Sequence, residues 1–236
     1  MRSGLTEIVL VLDRSGSMEA IKNDAEGGMR VFVEGQRKAP GEARLTFYRF
    51  DTEIERVIED RNIRFVEDRE LKLEPRGGTA LLDTMGRAIN EVGRRLSNRH
   101  EDERPEHVIF VTVTDGEENS SHEFSGDKIK EMIKRQRDQY KWEFIFIGCT
   151  EGSIQMAQSL GYYSGQTLWN QPTGKSYLAT YAVMTSNVAA MRSTGDRDSL
   201  NFTAEQRDSV RTDSSDDSVV QTTTGKPTVV SHVPGR

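Results

Sequence analysis

The sequence predicts an α/β fold of the doubly wound kind: a mostly parallel sheet with one antiparallel edge strand and helices on both faces. Three observations carry this. The apolar-rich runs Ile8–Leu12, Val108–Val113 and Phe144–Ile147 are short and bounded by polar turn residues, the pattern of strands buried on both faces. Between them lie segments whose apolar residues recur at three- and four-residue steps, such as Leu82, Met85, Ile89, Val92 and Leu96. Strand and helix alternate at lengths that suit βα units and a parallel sheet.

In chain order, Ile8–Leu12 is the first strand and ends at Asp13. Met18, Ile21, Ala25, Met29 and Phe32 then mark an amphipathic helix running to about Lys38, and Pro40-Gly41 stops it. Gly27 and Gly28 inside that helix cost about 1 kcal/mol each against alanine, so they are expected to permit close contact with the sheet. Residues 43–50 and 53–58 read as a hairpin around Asp51-Thr52, which supplies the antiparallel edge. Residues 59–78 are charged and irregular and lead to a helix beginning near Thr79. Val108–Val113 is the central strand, followed by an acidic loop from Gly116 to Ser125 and a helix with Ile129, Met132, Ile133 and Tyr140 on its apolar face. Phe144–Ile147 is the next strand, and Ile154, Met156, Ala157 and Leu160 fit a short helix after it.

The domain organisation expected from these patterns is a folded domain over residues 1–163, a linker and packed helix over 164–192, and a disordered polar tail over 193–236. The helix of the second segment, at about 175–192, carries Leu178, Tyr181, Met184, Val188 and Met191 as a stripe to be covered by the domain. In the tail, Thr203-Ala204-Glu205-Gln206 has the form of a capping box for a brief helix.

Composition bounds the class. Of 236 residues, 34% are hydrophobic and 30% charged, which leaves room for one good-sized core and a segment outside it. The net charge of −6 gives no general attraction to nucleic acid or to an anionic membrane. A single cysteine, Cys149, excludes an internal disulfide and any multi-cysteine metal site, and a lone thiol of this kind belongs to packing. No apolar stretch reaches the length of a membrane span, and Met1–Glu7 lacks a signal-type apolar region. A cytoplasmic protein is therefore expected, or a virion-associated one if the chain is phage-encoded.

Chemistry concentrates in three segments. Asp13-Arg14-Ser15-Gly16-Ser17 follows the first strand, Gly77-Gly78-Thr79 precedes a helix, and Thr114-Asp115-Gly116 follows the central strand. Each is delivered to the carboxyl rim of the sheet, where open α/β sheets place ligands. Asp13, Ser15, Ser17, Thr79 and Asp115 offer only oxygen donors, which suits Mg²⁺, Mn²⁺ or Ca²⁺ rather than zinc. Taken singly, each has a plain alternative: Asp13 or Ser17 as a cap in a turn, Thr79 as a helix N-cap, Asp115 as a turn opener with Gly116.

The trio Asp13-x-Ser15-x-Ser17, Thr79 in Gly-Gly-Thr-Ala-Leu and Asp115 in Thr-Asp-Gly resembles the metal-ion-dependent adhesion site of von Willebrand factor type A domains, complete and in that family's chain order. The resemblance covers roughly residues 5–163. Gly-Gly-Thr-Ala-Leu-Leu-Asp, Thr-Asp-Gly-Glu-Glu-Asn-Ser-Ser and Trp-Glu-Phe-Ile-Phe-Ile-Gly are similar, more narrowly, to the small soluble versions carried by bacteria and their phages, some near tellurite-resistance genes. The resemblance implies a Rossmann-like sheet and a Mg²⁺ ion held directly by Ser15, Ser17 and Thr79, with Asp13 and Asp115 acting mostly through water. It further implies that a partner's Asp or Glu carboxylate completes the ion.

Neighbouring residues have two readings each. Arg14 either favours an acidic ligand or restrains a nearby carboxylate, the simpler account being a solvated loop charge. Glu117, Glu118 and Glu123 either tune the metal and offer an acidic face or simply solvate their loop, and Asp51 either accepts a hydrogen bond behind the site or is a turn residue. Pro172-Thr173-Gly174-Lys175-Ser176 is rejected as a phosphate-binding loop, because Trp169 stands where the first glycine is needed and no convincing strand precedes it. His100, His107, His122 and His232 have no paired spacing for zinc.

The function expected is a non-enzymatic, metal-dependent protein-binding module. The alternatives are an assembly component of a phage particle or stress-response complex whose ion only braces loops and, more remotely, a Mg²⁺-dependent phosphoryl-transfer enzyme. The last lacks its second acid, since Ser15 occupies the Asp-x-Asp position.

Overall fold

Six strands in the order β3-β2-β1-β4-β5-β6 form one sheet in a computed structural model that describes residues 1–171 and 173–211. The strands are β1 (Arg2–Asp13), β2 (Glu42–Phe50), β3 (Ile54–Asn62), β4 (Pro105–Thr114), β5 (Glu143–Gly148) and β6 (Thr167–Trp169). Every pairing is parallel except β2 with β3, so β3 is the antiparallel edge expected from the hairpin around Asp51. The helices are α1 (Lys22–Lys38), α2 (Leu81–Ser97), α3 (Gly126–Tyr140), α4 (Glu151–Ser159), α5 (Gly174–Thr194) and α6 (Ala204–Ser209). No helix among the described residues is long and apolar enough to cross a membrane.

The two faces of the sheet explain why β1 is apolar without interruption. Ile8, Leu10 and Leu12 point into one core with α1 and α5 residues such as Met29, Phe32, Tyr181 and Met184. Val9 and Val11 point into the other, with Met85 and Ile89 of α2, Ile129 and Ile133 of α3 and Ala157 of α4. A period of two has both phases buried, and so reads as a continuous run. Strand order reverses between β1 and β4, which leaves a crevice beyond their carboxyl ends, where ligands of open α/β sheets bind.

Several expectations are corrected here. Residues 164–174 are not only a bridge: Thr167–Trp169 pairs with Phe146–Gly148 as the sixth strand, so the sheet runs past the boundary at 163. The strand is three residues long, too short for a visible period. The segment 193–211 is not a free tail either. Leu200, Phe202 and Val210 are buried in the α1/α5 core, the Phe202 N–H donates to the Gly165 carbonyl at 2.8 Å, and Thr203 and Gln206 form a capping box on α6. A few apolar residues spaced among polar ones were enough to anchor it. The rest of the expected tail, residues 212–236, including His232, lies outside the described residues.

On α5 the buried stripe begins at Tyr177, whereas Leu178 is 42% exposed; on α3, Tyr140 is 55% exposed and outside the core. Gly28 serves a helix rather than the sheet: a Cβ there would stand 2.2 Å from Tyr181 Cδ2, and one at Gly35 would stand 2.1 Å from Thr185 Cγ2. α1 and α5 therefore approach each other over two glycines seven residues apart on one face.

Candidate metal site at the carboxyl rim

Asp13 is the last residue of β1 and Thr114 the last of β4, so the reversal of strand order places their loops side by side. The Asp13 carboxylate is fully buried; its Oδ1 accepts the Ser15 N–H at 2.6 Å and its Oδ2 accepts the Thr114 hydroxyl at 2.6 Å. The first bond folds the loop back on itself. Ser15 Oγ and Ser17 Oγ stand 3.0 Å apart, and Ser17 Oγ donates to Asp115 Oδ1 at 3.0 Å, with Ser15 Oγ 3.5 Å from the same oxygen.

Thr79 joins them from the third loop. The point where a Cβ of Gly116 would stand is 3.4 Å from Thr79 Oγ1, 3.9 Å from Asp13 Oδ2 and 4.0 Å from Ser15 Oγ. Three oxygens from two loops thus border one small space, which a glycine of the Asp115 loop keeps free of side chain. All five residues expected from the sequence, Asp13, Ser15, Ser17, Thr79 and Asp115, meet at this rim.

Burial pushes the Asp13 carboxyl up to about 6, against which the hydrogen bonds from Thr114 and Ser15 act, while the charge of Asp115 adds to the rise. Burial also raises Asp115. Two carboxylates held near each other in a partly desolvated site favour a positive charge between them. Among the described residues no cluster of three or more His, Cys, Asp or Glu side chains could hold a metal ion, and the oxygens gathered at this rim are two carboxylates and three hydroxyls.

Arg14 is not a solvated loop charge. Its guanidinium is 2% exposed and turns under the loop, Nε donating to Asp51 Oδ2 at 2.8 Å and Nη1 to Glu55 Oε2 at 2.7 Å. Asp51 also takes Arg76 Nε at 2.9 Å, while its backbone carbonyl accepts the Ala80 N–H at 2.8 Å. The Arg76 N–H donates to the Arg14 carbonyl at 2.8 Å and the Gly16 N–H to Gly77 O at 3.2 Å. The serine loop and the threonine loop are therefore fastened together through the Asp51 turn.

The acidic loop fastens Thr79 from the other side. Asn119 Oδ1 accepts the Thr79 N–H at 2.9 Å, and Thr79 O accepts the N–H groups of Asn119 and Ser120. Glu118 is neither an acidic face nor loop solvation: it accepts the N–H of Leu82 at the start of α2 and those of Ser120 and Ser121. Asp83 accepts three successive N–H groups, those of His122, Glu123 and Phe124, each at 2.8 Å. Glu123 pairs with Arg87 and is exposed, as is Glu117. The roles of Thr114, Asn119, Asp83 and Arg76 are not legible in the sequence; Thr114, Asn119 and Asp83 lie within the quoted motifs, but their partners are distant in the chain.

Cys149 lies behind the rim, its Sγ 3.0 Å from Tyr177 Oη, and burial pushes its thiol up to about 12, so it stays protonated and packs. The rejected phosphate-loop segment does follow a strand, β6, but Trp169 fills the position that would need glycine, and Thr173 serves as the N-cap of α5.

The structure is similar to proximal thread matrix protein 1 from the mussel byssus, with a TM-score of 0.58 and 16% identity over 80% of this chain and 46% of that one. It is similar to a von Willebrand factor type A structure from Catenulispora acidiphila, with a TM-score of 0.56 and 16% identity over 78% of this chain and 42% of that one. The chain has the von Willebrand factor A fold. A mutant of the PilB minor pilin from Streptococcus sanguinis is a third such match, with a TM-score of 0.58 and 9% identity over 81% of this chain and 63% of that one. The chain thus spans less than two thirds of the length of each. The thread matrix protein is also known with zinc occupying its adhesion-site motif. No family model and no curated protein matches the sequence.

Proposed function

We propose that this chain is a non-enzymatic protein-binding module. In this reading Asp13, Ser15, Ser17, Thr79 and Asp115 hold a divalent ion, Mg²⁺ with Mn²⁺ or Ca²⁺ as substitutes, and an Asp or Glu carboxylate of a protein partner completes it. The observation that carries the reading is the convergence of Thr79 Oγ1, Asp13 Oδ2 and Ser15 Oγ on the space beside Gly116. Oxygen donors of this kind suit hard cations. The ion, when bound, supplies an electrophilic centre for an acidic ligand.

The chain's own residues account for why that ligand comes from outside. Ser15, Ser17 and Thr79 are neutral donors, so they do not cancel the charge of a cation. Both oxygens of Asp13 already accept hydrogen bonds, which lets this carboxylate contribute charge from behind the hydroxyls. Without a cation, Asp13 and Asp115 would face an incoming acid as like charges. The thread matrix protein, with its metal-occupied motif on the same fold, supports the reading.

The Arg14–Asp51–Arg76 cluster and the Glu118 and Asn119 contacts tie the loops together through protein atoms, which speaks against an ion that serves only as a brace. The test is capture of partners by the full chain and by Asp13→Ala and Thr79→Ala in parallel, each with Mg²⁺ and with EDTA, followed by calorimetry on the partner recovered. Partners retained by the native chain in Mg²⁺ and lost in the other arms are expected. Equal retention throughout would reject the proposal.

A further inference from the structure

A cavity of about 280 Å³ opens between α2 and α3, at the end of the sheet away from the metal site. α2 begins two residues after Thr79 and rises about 1.5 Å per residue, so Arg94 stands about 20 Å along it. Gly93 and Arg94 of α2, Arg135 and Tyr140 of α3, and Arg104 before β4 line the cavity over Trp142. No carboxylate lines it, although the chain carries 38 acidic against 32 basic residues.

Two of these charges, those of Arg94 and Arg135, are paired with no carboxylate among the described residues. Along the same helices Arg87 pairs with Glu123, Arg95 with Glu7, Lys128 with Glu131 and Lys134 with Asp138. Arg94 has no ion pair among the described residues, Arg135 reaches only Gln139 Oε1 at 3.4 Å, and Arg104 bonds the carbonyls of Arg99 and Ser97. Basic residues near helix C-termini ordinarily serve the free carbonyls there. Arg104 does so for Ser97 and Arg99, but other carbonyls near Arg94 and Arg135 have their own donors: Arg94 O takes Asn98 N–H and Ser97 Oγ, and Gln136 O takes Lys141 N–H and Trp142 N–H. Gly93, costly in a helix interior, leaves the cavity floor open, since a Cβ there would meet only Gln136 Nε2 at 3.8 Å.

We propose that this cavity is a second binding site, for a phosphate monoester carried on a small aromatic body. Guanidinium groups pair with phosphate oxygens two at a time, and the two without carboxylate partners, Arg94 and Arg135, with the charge of Arg104 beside them, match a dianion better than a lone carboxylate. The exposed ring of Tyr140 offers the aromatic contact.

The experiment is titration of the full chain with phenyl phosphate, with inorganic phosphate and benzoate in parallel, all in EDTA so that no anion is held through a metal. Phenyl phosphate is expected to bind at least about tenfold tighter than either comparison. Arg94→Ala with Arg135→Ala, both at exposed positions, should weaken it at least about tenfold. Gly93→Leu, which favours the helix while filling the cavity, should abolish binding without lowering the melting temperature. No saturable binding below about 10 mM, equal affinity for the three anions, or binding that survives both variants would overturn the proposal.

Discussion

Arg14 donates its Nε–H to Asp51 at 2.8 Å with both side chains at most 2% exposed, so the one basic residue inside the Asp-x-Ser-x-Ser motif is held by the Asp51 turn rather than by the site it belongs to. Burial alone would raise the Asp51 carboxyl, but the Glu53 N–H, Arg76 and the charge of Arg14 outweigh it and hold the group below its usual range. Asp51→Asn would keep the shape and remove the buried carboxylate that Arg14 and Arg76 share, leaving the buried Arg14 guanidinium only the partly exposed Glu55. A loss of about 3–5 kcal/mol in urea unfolding is expected, as for breaking a buried pair. Mg²⁺ affinity should fall with it, because the serine and threonine loops share this anchor. Unaltered stability would show that Glu55 alone suffices for Arg14.

Asp13 must be ionised to attract a cation, and burial places its carboxyl at about 6. Below that pH each further unit should weaken Mg²⁺ binding about tenfold, since binding then releases a proton. The sign for stability follows from the raised value: without metal, the stabilising protonated form is lost as pH rises through about 6, and Mg²⁺ restores what was lost. Melting temperatures with and without Mg²⁺ should therefore diverge near pH 7.5 and converge near pH 5. A metal-induced shift that is the same at both pH values would contradict this.

The α1–α5 contact separates three neighbouring glycines. Gly28→Ala and Gly35→Ala would press a methyl group against Tyr181 and Thr185, and Thr185 is held in place by its hydroxyl bond to Tyr181 O. Overpacking of about 1–3 kcal/mol should outweigh the gain of up to about 1 kcal/mol in helix propensity. Gly27→Ala meets Leu178 at 3.6 Å, an ordinary contact, and should be neutral or stabilising. Denaturant melts of the three variants decide this, and a common sign for all three would refute the packing argument.

Glu7 lies in β1 with no exposure, its Oε1 bonded to Thr46 and Arg95 and its Oε2 unpartnered. Burial outweighs the attraction of Arg95 and raises the group from 4.5 to about 7. Stability from its protonated form is full below about 4.5 and declines as pH rises through about 7. Glu7→Gln should flatten that decline, read as the difference between native and variant unfolding curves from pH 4.5 to 8. Parallel curves would indicate that Arg95 keeps the group charged throughout.

Leu200 is fully buried in a segment that composition alone marks as unstructured. Leu200→Ala should cost about 2–5 kcal/mol, the range for a core leucine, in the cooperative unfolding transition. An effect below about 0.5 kcal/mol, as for a surface substitution, would mean that this segment does not contribute to the core.

What could be read directly was whatever depends on local pattern. The run Ile8–Leu12 marks a strand buried on both faces, the stripe Leu82–Leu96 marks α2, and the dipeptide Asp51-Thr52 marks the hairpin that makes β3 antiparallel. β6 has no legible signature because three residues show no period, and Leu178 reads as well as Tyr177 because a rotation of one residue barely changes the stripe. Gly28 was recognised as a close-contact residue, but its partner, α5, lies about 150 residues away in the chain, beyond any local rule.

By itself the sequence determined that three oxygen-rich loops end up at one rim of a doubly wound sheet, because alternation of strands and helices leaves few topologies and each loop follows or precedes a recognisable element. The tertiary structure alone decided what holds those loops: Arg14 buried on Asp51, Glu118 capping α2, Asp83 accepting three N–H groups, and Leu200 and Phe202 closing the core from beyond the last long helix. The physical reason is that a charged or polar residue has the same local signature whether it is solvated or buried. Only the partner brought to it by the fold separates the two states, and that partner is fixed by long-range packing.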